Sequence, residues 1–261
     1  MTAISVSNQK GGVGKTTIAI NVAAALSRKG SEVLLIDLDP QGHGTEGVGL
    51  HDYYEVEDKN LHHILLDLDR LGEIKDLIVE IDEFDVIPSN VDMFNLEPQL
   101  TTALRNKERL SMALEELWAA DGFEYEYVII DCPPHLGNLT DNALLASKNV
   151  LIPALAEGTS VRAIEILLDQ ITTLEKAYGV AIREVALIAN RVNPDNQGKQ
   201  MMEWFEKAFG ERVPVFEIRK RVALQRAWSA GVSIFQHEEN CDMEEVFDEI
   251  ASYLQGVDFN E

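Results

Sequence analysis

Continuous apolar runs that match buried strands recur along the chain, and polar residues follow each of them. The runs span residues 2–7, 33–38, 127–131, 150–153 and 185–190. Unbroken rather than alternating apolar residues are typical of parallel strands that are covered on both faces. The pattern therefore predicts a parallel sheet that lies between two outer layers.

Between these runs, apolar residues return at helical spacing. The predicted helices span residues 16–28, 105–119, 140–147, 160–178, 199–209 and 243–254. The alternation of strands and helices predicts an α/β fold with a doubly wound, mostly parallel twisted sheet and helices on both faces. We expect one domain over residues 1–261, because no repeat, low-complexity segment or proline-rich linker interrupts the pattern.

The turn after the first strand has a composition suited to binding a polyphosphate. It consists of Lys10, Gly11, Gly12, Val13, Gly14, Lys15, Thr16 and Thr17. Glycines allow backbone N–H groups to close on the anion, and the dipole of the following helix favours negative charge. In such a loop Lys15 contacts the β- and γ-phosphates, and the Thr16 hydroxyl ligates Mg²⁺. The loop therefore predicts ATP and Mg²⁺ as cofactors.

The surroundings of this loop favour phosphate binding over an ordinary glycine-rich turn with unrelated lysines. A strand precedes the loop and a helix follows it. No aspartate or glutamate occurs in residues 1–31, although the chain contains 45 acidic residues. A carboxylate close to the loop would repel phosphate.

Aspartates end two of the other predicted strands. Alternation along the strand puts Asp37 and Asp39 on the same side, at the sheet edge where ligands bind. One of them should contact the metal or a water molecule. Asp131 ends a Walker B strand and would hold Mg²⁺ directly or through water. Thr16, Asp37 and Asp131 are therefore the candidate metal ligands.

The loop departs from the general P-loop pattern, because Gln9 stands in place of glycine and Lys10 precedes the glycine pair. Together with the segments 37–42 and 131–134, this loop resembles the deviant Walker A loop of the ParA/Soj partition ATPases, relatives of MinD. The resemblance implies that Lys10 crosses a dimer interface to the partner's ATP and that Asp39 positions the attacking water. Lys10, Lys15 and Asp39 are thus the candidate catalytic residues.

Further segments resemble the same family, namely residues 86–90 with the helix that contains Glu97, and residues 153–157. His135 departs from the family, which usually has serine there, and is expected to be an exposed loop histidine. Asn190 falls where related ATPases use asparagine on the adenine edge. The alternative is that Asn190 merely begins the turn at residues 193–195.

The charge of the chain restricts its partners. Its 45 acidic and 22 basic residues give a net charge of −23, so any contact with DNA must be local. Residues 218–237 lack carboxylates and form a candidate DNA-binding patch that contains Arg219, Lys220, Arg221 and Arg226. The alternatives are a solvated loop or a contact with nucleotide across a dimer. The family places DNA-binding arginines in this region, but Ala223 stands where one of them is expected.

Composition also excludes several classes of protein. Residues 1–8 are too short and too polar for a signal peptide, so we expect none, and the chain has no continuous apolar run of about 18 residues. Its two cysteines have no CxxC spacing, and therefore indicate neither a disulfide framework, a zinc site nor an iron–sulfur site. The acidic segment 242–261 is unlike the lipid-binding helix of MinD. The acidic excess resembles proteins from cells with a very salty cytoplasm.

The resemblance implies a cytoplasmic, nucleoid-associated ATPase that does not bind membranes. It would form a homodimer with ATP, bind DNA non-specifically, and hydrolyse ATP slowly until a ParB-like or adaptor protein stimulates it. We expect no N-terminal helix-turn-helix domain, since the phosphate loop begins within ten residues of Met1. The alternative function is a MinD-like or other cargo-positioning ATP switch with little turnover.

Overall fold

An eight-stranded sheet forms the centre of the protein in the computed structural model, which describes residues 1–122, 124–237 and 241–259. The strands are β1 (Thr2–Val6), β2 (Val33–Asp37), β3 (Val79–Glu80), β4 (Asp85–Ile87), β5 (Tyr127–Asp131), β6 (Asn149–Leu155), β7 (Arg183–Val192) and β8 (Val215–Arg219). Their order across the sheet is β3-β4-β2-β5-β1-β6-β7-β8. Only the pairing of β3 with β4 is antiparallel among these strands. The predicted fold class is confirmed.

Eleven α-helices connect and cover the strands within the described ranges. They are α1 (Lys15–Arg28), α2 (His43–Gly47), α3 (Leu61–Leu66), α4 (Met93–Leu100), α5 (Arg109–Ala119), α6 (Asn138–Ser147), α7 (Thr159–Tyr178), α8 (Asn196–Phe209), α9 (Val222–Ser229), α10 (Ile234–His237) and α11 (Asp242–Gly256). Two 3₁₀ segments, His51–Tyr53 and Leu68–Leu77, lie between them.

The helices form two layers because successive side chains of a strand point to opposite faces of the sheet. On β2, Leu35 packs with α1 and α11 in one apolar cluster, whereas Leu34 and Ile36 pack with α3, α4 and α5 in another. Every residue of β2 and of β5 is buried. This two-sided burial is the reason that the strands read as unbroken apolar runs.

The strand order brings the predicted site residues to one edge of the sheet. From β1 the sheet extends through β5 to β2 on one side and through β6 to β7 on the other. Ligands of doubly wound folds bind at the carboxyl ends of strands where the order diverges in this way. In register, Asp131 of β5 lies opposite Val6 of β1 and Asp37 of β2.

Two helix starts differ from the prediction by three residues or more, for local reasons. The predicted helix 105–119 begins only at Arg109, because Arg105 has a left-handed φ of 54°. Conversely, α8 begins at Asn196 rather than 199, since the side chain of Asp195 accepts a hydrogen bond from the Gly198 N–H at 2.8 Å and caps the helix.

The acidic C-terminal segment forms α11, although residues 260–261 of the predicted segment 242–261 lie outside the described part. Its first turn contains Asp242, Glu244 and Glu245, where negative charge stabilises a helix. Across residues 1–122, 124–237 and 241–259, none of the helices has both the length and the apolar character required to cross a membrane.

Candidate nucleotide-binding site

The turn between β1 and α1 has the backbone conformation that a phosphate-binding loop needs. Gly12 and Gly14 have φ angles of 73° and 92°, in the region that favours glycine. Gly14 is the N-cap of α1, and no side chain caps the helix there. The first N–H groups of a helix lack intrahelical partners. This end of α1 therefore presents backbone donors and a positive dipole to an anion.

A cavity of about 690 Å³ opens in front of this loop. Its walls combine the predicted loop residues Gly11, Gly12, Gly14, Lys15, Thr16 and Thr17 with Asp39, Gln41, His43, Pro134, Asn190, Arg191 and the segment around α9. This volume lies in the range of small-molecule and cofactor sites, about 300–1,000 Å³.

Lys15 lies within this cavity, at the start of α1. Only 6% of its surface is exposed, and its Nζ lies 3.5 Å from the backbone oxygen of Lys10. Burial lowers the pKa of Lys15, and the negative charge of Asp131 opposes that change. Its ammonium group is thus placed between the loop and a carboxylate, in position to meet the phosphates.

The buried carboxylate of Asp131 has the properties of a cation ligand. Asp131 is 1% exposed, and neither carboxylate oxygen has a hydrogen-bond partner among the described residues. Burial raises the pKa of Asp131 well above its usual value, and the negative charge of Asp37 adds to the increase. A buried carboxylate without donors is costly unless a cation balances it. Asp131 and Thr16 therefore fit Mg²⁺, which prefers oxygen ligands.

Asp37 and Asp39 have different environments despite their spacing. Asp37 is fully buried, and its carboxylate accepts hydrogen bonds from the Thr45 N–H at 2.7 Å, the Thr45 hydroxyl at 2.8 Å and the Asp39 N–H at 3.1 Å. Burial raises the pKa of Asp37 to about 6. Asp37 could coordinate Mg²⁺ only by giving up some of these bonds, so its metal role stays a prediction. Asp39 lines the cavity, where its Oδ1 accepts from the Gln41 N–H at 3.0 Å.

Lys10 points away from the cavity that its own loop forms. Its Nζ lies 3.1 Å from Glu157 Oε2 and 2.8 Å from Thr159 Oγ1, at the start of α7. About a quarter of the Lys10 side chain is exposed. The Lys10 side chain is therefore partly accessible from outside the chain, and its catalytic role remains a prediction.

Asn190 supports the loop from behind. Its Nδ2 donates to the Val13 carbonyl at 2.7 Å, and its Oδ1 accepts from the Arg191 N–H at 2.8 Å. It also borders the cavity. These contacts describe a side chain that holds the loop in place, while the predicted contact with the adenine edge stays a prediction.

The predicted basic patch divides into two parts. Arg219, Lys220 and Arg221 line the same cavity as the phosphate loop. Asp242 forms ion pairs with both Arg219 and Arg221, so part of their charge is already balanced. Arg226 is exposed on α9. The geometry thus places three of the four residues at the cavity of the phosphate loop, and their DNA-binding role remains a prediction.

Two further residues contribute to the site although no sequence pattern predicts their contacts. Trp228 of α9 lines the cavity, and its Nε1 donates to the backbone oxygen of His43 at 3.0 Å. Glu97, which was noted only for its resemblance to the family, accepts from the N–H groups of Asn138 at 2.6 Å and Leu139 at 3.0 Å. It thereby anchors the loop that follows Asp131. No local signal marks such contacts, because the partners are distant in the chain.

Comparisons with known proteins identify the family of the chain. The family model described as an AAA domain matches residues 1–183. The chain is 34% identical over 249 residues to the sporulation initiation inhibitor protein Soj of Bacillus subtilis, covering 95% of this chain and 96% of that protein. The chain belongs to the ParA/Soj family of partition ATPases. The chromosome-partitioning ATPase Soj of Thermus thermophilus is also 34% identical, over 90% of this chain and 87% of that protein.

As a ParA-type ATPase, the chain also has solved structural relatives that contain nucleotide. Cobyrinic acid a,c-diamide synthase from Mycobacterium smegmatis, with bound ADP and magnesium, is 28% identical and superimposes with a TM-score of 0.79. The match covers 98% of this chain and 94% of that one. The cofactors predicted from the loop, ATP and Mg²⁺, are thus of the kind found in homologous structures.

The loop should not tolerate a side chain at Gly14. A Cβ there would lie 2.1 Å from Asn190 Nδ2, in addition to the strain of a φ of 92°. We expect Gly14→Ala to weaken nucleotide binding at least about tenfold, because Asn190 would have to give up its hydrogen bond to the Val13 carbonyl and alanine disfavours this φ. Gly30→Ala is a matched control, since Gly30 has a φ of 91° with no atom within 4 Å of the added Cβ. Equal nucleotide affinities of the two variants, by calorimetry, would contradict this account.

Proposed function

We propose that this ParA-type ATPase binds Mg²⁺ and ATP, dimerises in that state, binds DNA non-specifically and segregates or positions DNA or another cargo. A partner protein of the ParB or adaptor type would stimulate hydrolysis and so release the DNA. The observation that carries the proposal is the opposite placement of two lysines of one loop. Lys15 lies inside the cavity, whereas Lys10 lies outside it and is accessible to a second chain.

In this proposal the residues of the cavity neutralise and orient the phosphates. Lys15 and the N-terminus of α1 bind the phosphate oxygens, and Thr16 and Asp131 hold the cation. The bound Mg²⁺ supplies charge neutralisation at the phosphate oxygens. Asp39, on the cavity wall, accepts a hydrogen bond from the attacking water and aligns it.

Lys10 must leave its contacts with Glu157 and Thr159 before it can reach a partner's phosphates. The ion pair joins a side chain that is 26% exposed to one that is 56% exposed. Pairs of this kind contribute only about 0–1 kcal/mol, so release costs little compared with the gain from a phosphate contact. The contact would therefore position Lys10 before dimerisation without opposing dimer formation.

Replacement of Lys10 tests its proposed action across the dimer. We expect Lys10→Ala to bind ATP about as well as wild type, because Lys10 lies outside its own cavity, but to lose at least about 100-fold in stimulated hydrolysis. Phosphate release with and without the stimulating protein measures this, and Lys29→Ala, an exposed lysine at the end of α1, is the control. Unchanged stimulation in Lys10→Ala would refute the role. Turnover near zero in every condition would instead favour the ATP switch without hydrolysis.

The DNA contact is tested by separating Arg226 from the residues that line the cavity. We expect wild type to bind DNA only with ATP, with an affinity that falls as salt rises. Arg226→Ala should bind nucleotide normally and reduce the slope of log affinity against log salt by about 0.9. Joint replacement of Arg219, Lys220 and Arg221 by alanine should impair both nucleotide and DNA binding.

The control for that experiment is Lys199→Ala, which removes an exposed charge from α8. DNA binding that is equally strong with and without ATP, or that is unchanged in both basic-patch variants, would contradict the proposed control of DNA binding by ATP. We further propose a cytoplasmic, nucleoid-associated location, which a fluorescent fusion would test.

A further inference from the structure

A group of metal-ligating side chains lies outside the nucleotide site, where α3 meets the turn before α4. His62 and His63 belong to α3, and Asp92 is the N-cap of α4. One potential ligand atom of each residue lies within 4.8 Å of those of the other two. Sequence patterns do not mark this group, because Asp92 is distant in the chain from the two histidines.

The imidazole of His62 is buried with a free nitrogen. His62 is 8% exposed, and its Nε2 lies 2.7 Å from Gln99 Oε1. An amide oxygen can only accept, so this bond assigns the proton to Nε2 and leaves a lone pair on Nδ1. That Nδ1 has no partner among the described residues, and neither does the buried Nδ1 of His63. Buried polar atoms are rarely left unpaired in folded proteins.

The third side chain is also held in position. Asp92 Oδ2 accepts a hydrogen bond from Asn60 Nδ2 at 3.0 Å, and Asn60 Oδ1 accepts from the His63 N–H at 3.3 Å. Asn60 therefore orients the carboxylate and caps α3 at the same time. Hydrogen bonds such as those of Gln99 and Asn60 are the outer contacts that orient metal ligands in established sites.

We propose that His62, His63 and Asp92 bind one Zn²⁺ ion, with water as the fourth ligand, and thereby fasten α3 to the start of α4. Two imidazole nitrogens and one carboxylate oxygen suit Zn²⁺, whereas Mg²⁺ and Ca²⁺ prefer oxygen ligands. Neighbouring ligands of a tetrahedral zinc ion lie about 3.4 Å apart. The observed limit of 4.8 Å thus requires closure by at most about 1.4 Å, within the reach of side-chain rotation.

Binding at this place would stiffen a segment that adjoins the nucleotide cavity. The Val91 N–H donates to the Tyr54 carbonyl at 3.0 Å, and the Tyr54 hydroxyl donates to the Pro40 carbonyl at 2.7 Å. Pro40 directly follows Asp39. The ion would therefore stabilise the turn before α4, which these two hydrogen bonds connect to the cavity wall. Zinc binding at this place would not require the proposed DNA binding or dimerisation.

Cobalt and zinc titrations of the full chain test the proposal. With saturating Mg²⁺ and ADP present to occupy the phosphate site, we expect wild type to bind one equivalent of Co²⁺ with visible absorption typical of a four-coordinate site. Zn²⁺ should displace the cobalt and raise the temperature of thermal unfolding. Asp92→Asn and His63→Gln should each weaken binding at least about tenfold. His51→Gln, which replaces an exposed histidine outside the group, should bind like wild type.

Failure of wild type to develop the cobalt absorption or a zinc-dependent thermal shift would overturn the proposal. Binding that is equally strong in Asp92→Asn and His63→Gln would overturn it as well. Circular dichroism verifies folding of each variant. Asp92→Asn, which preserves the shape of the side chain and its acceptor for Asn60, decides the matter if His63→Gln does not fold.

Discussion

Lys15→Ala should abolish ATP turnover and weaken binding of Mg²⁺ and ATP at least about 100-fold. Lys15 is the lysine of the phosphate loop that lines the cavity, buried next to Asp131. Its removal eliminates charge-assisted hydrogen bonds to the phosphates of about 1.5–3 kcal/mol each, and two such bonds account for the expected loss. Calorimetric titration with ATP and with ADP in the presence of Mg²⁺ measures the change.

Lys29→Ala is the control for this experiment, because it removes one lysine from the other end of the same helix. It should bind both nucleotides like wild type. The difference between ATP and ADP affinity should shrink in Lys15→Ala, since the ammonium group is expected near the β- and γ-phosphates. Retention of more than about a tenth of the wild-type affinity would show that the loop backbone, rather than Lys15, provides most of the binding.

Asp131→Asn should have opposite effects on the stability of the nucleotide-free protein and on nucleotide binding. In the free protein, the substitution removes a buried carboxylate that has no hydrogen-bond partner among the described residues and that is repelled by Asp37 and Asp39. Burial of a neutral amide costs less than burial of a charge, so we expect the free energy of unfolding to rise by about 1–3 kcal/mol. Urea denaturation without nucleotide or Mg²⁺ measures this gain.

The same substitution should remove most of the extra stabilisation that Mg²⁺ provides in the presence of ATP. An amide oxygen is a weaker ligand for Mg²⁺ than a carboxylate, and it does not balance the charge of the cation. Asp121→Asn, on an exposed turn, should change neither quantity. A lower free energy of unfolding for Asp131→Asn in the absence of nucleotide and Mg²⁺ would show that Asp131 stabilises the fold itself, which would contradict a role specific to cation binding.

Opposite charges are thus prearranged at the place where the polyphosphate and its cation are expected to bind. The strand register brings Asp37 and Asp131 side by side, and Lys15 lies next to them. A protein gives up stability to hold such groups in place, since each would be better solvated in an unfolded chain. Binding of the polyphosphate and its cation would offset that cost.

Much of the fold could be predicted because its signals are local. Buried parallel strands such as β2 and β5 are apolar at every position, and the amphipathic helix α7 shows its period over 20 residues. The short elements β3, β4 and α2 have too few residues for a period to emerge, so sequence patterns could not define them well. The start of α5 could not be predicted correctly either, since it depends on one residue with a positive φ.

The phosphate loop could be predicted for a similar reason. Its function depends on consecutive residues, from Lys10 to Thr17, whose backbone binds the ligand directly. By contrast, strand alternation alone does not distinguish Asp37 from Asp39, since the two are spaced by two residues at the end of β2. The difference between them comes from Thr45, which satisfies the Asp37 carboxylate and leaves Asp39 to face the cavity.

By itself, the sequence determined the doubly wound fold, the phosphate loop and the aspartates at the ends of neighbouring strands, because each follows from residues that are adjacent or periodic in the chain. Only the tertiary structure decided that Lys15 faces inward and Lys10 outward, that three of the basic residues border the nucleotide cavity, and that two histidines meet Asp92. These facts depend on which distant segments pack together. Side-chain contacts between such segments leave no period or spacing in the sequence from which they could be predicted.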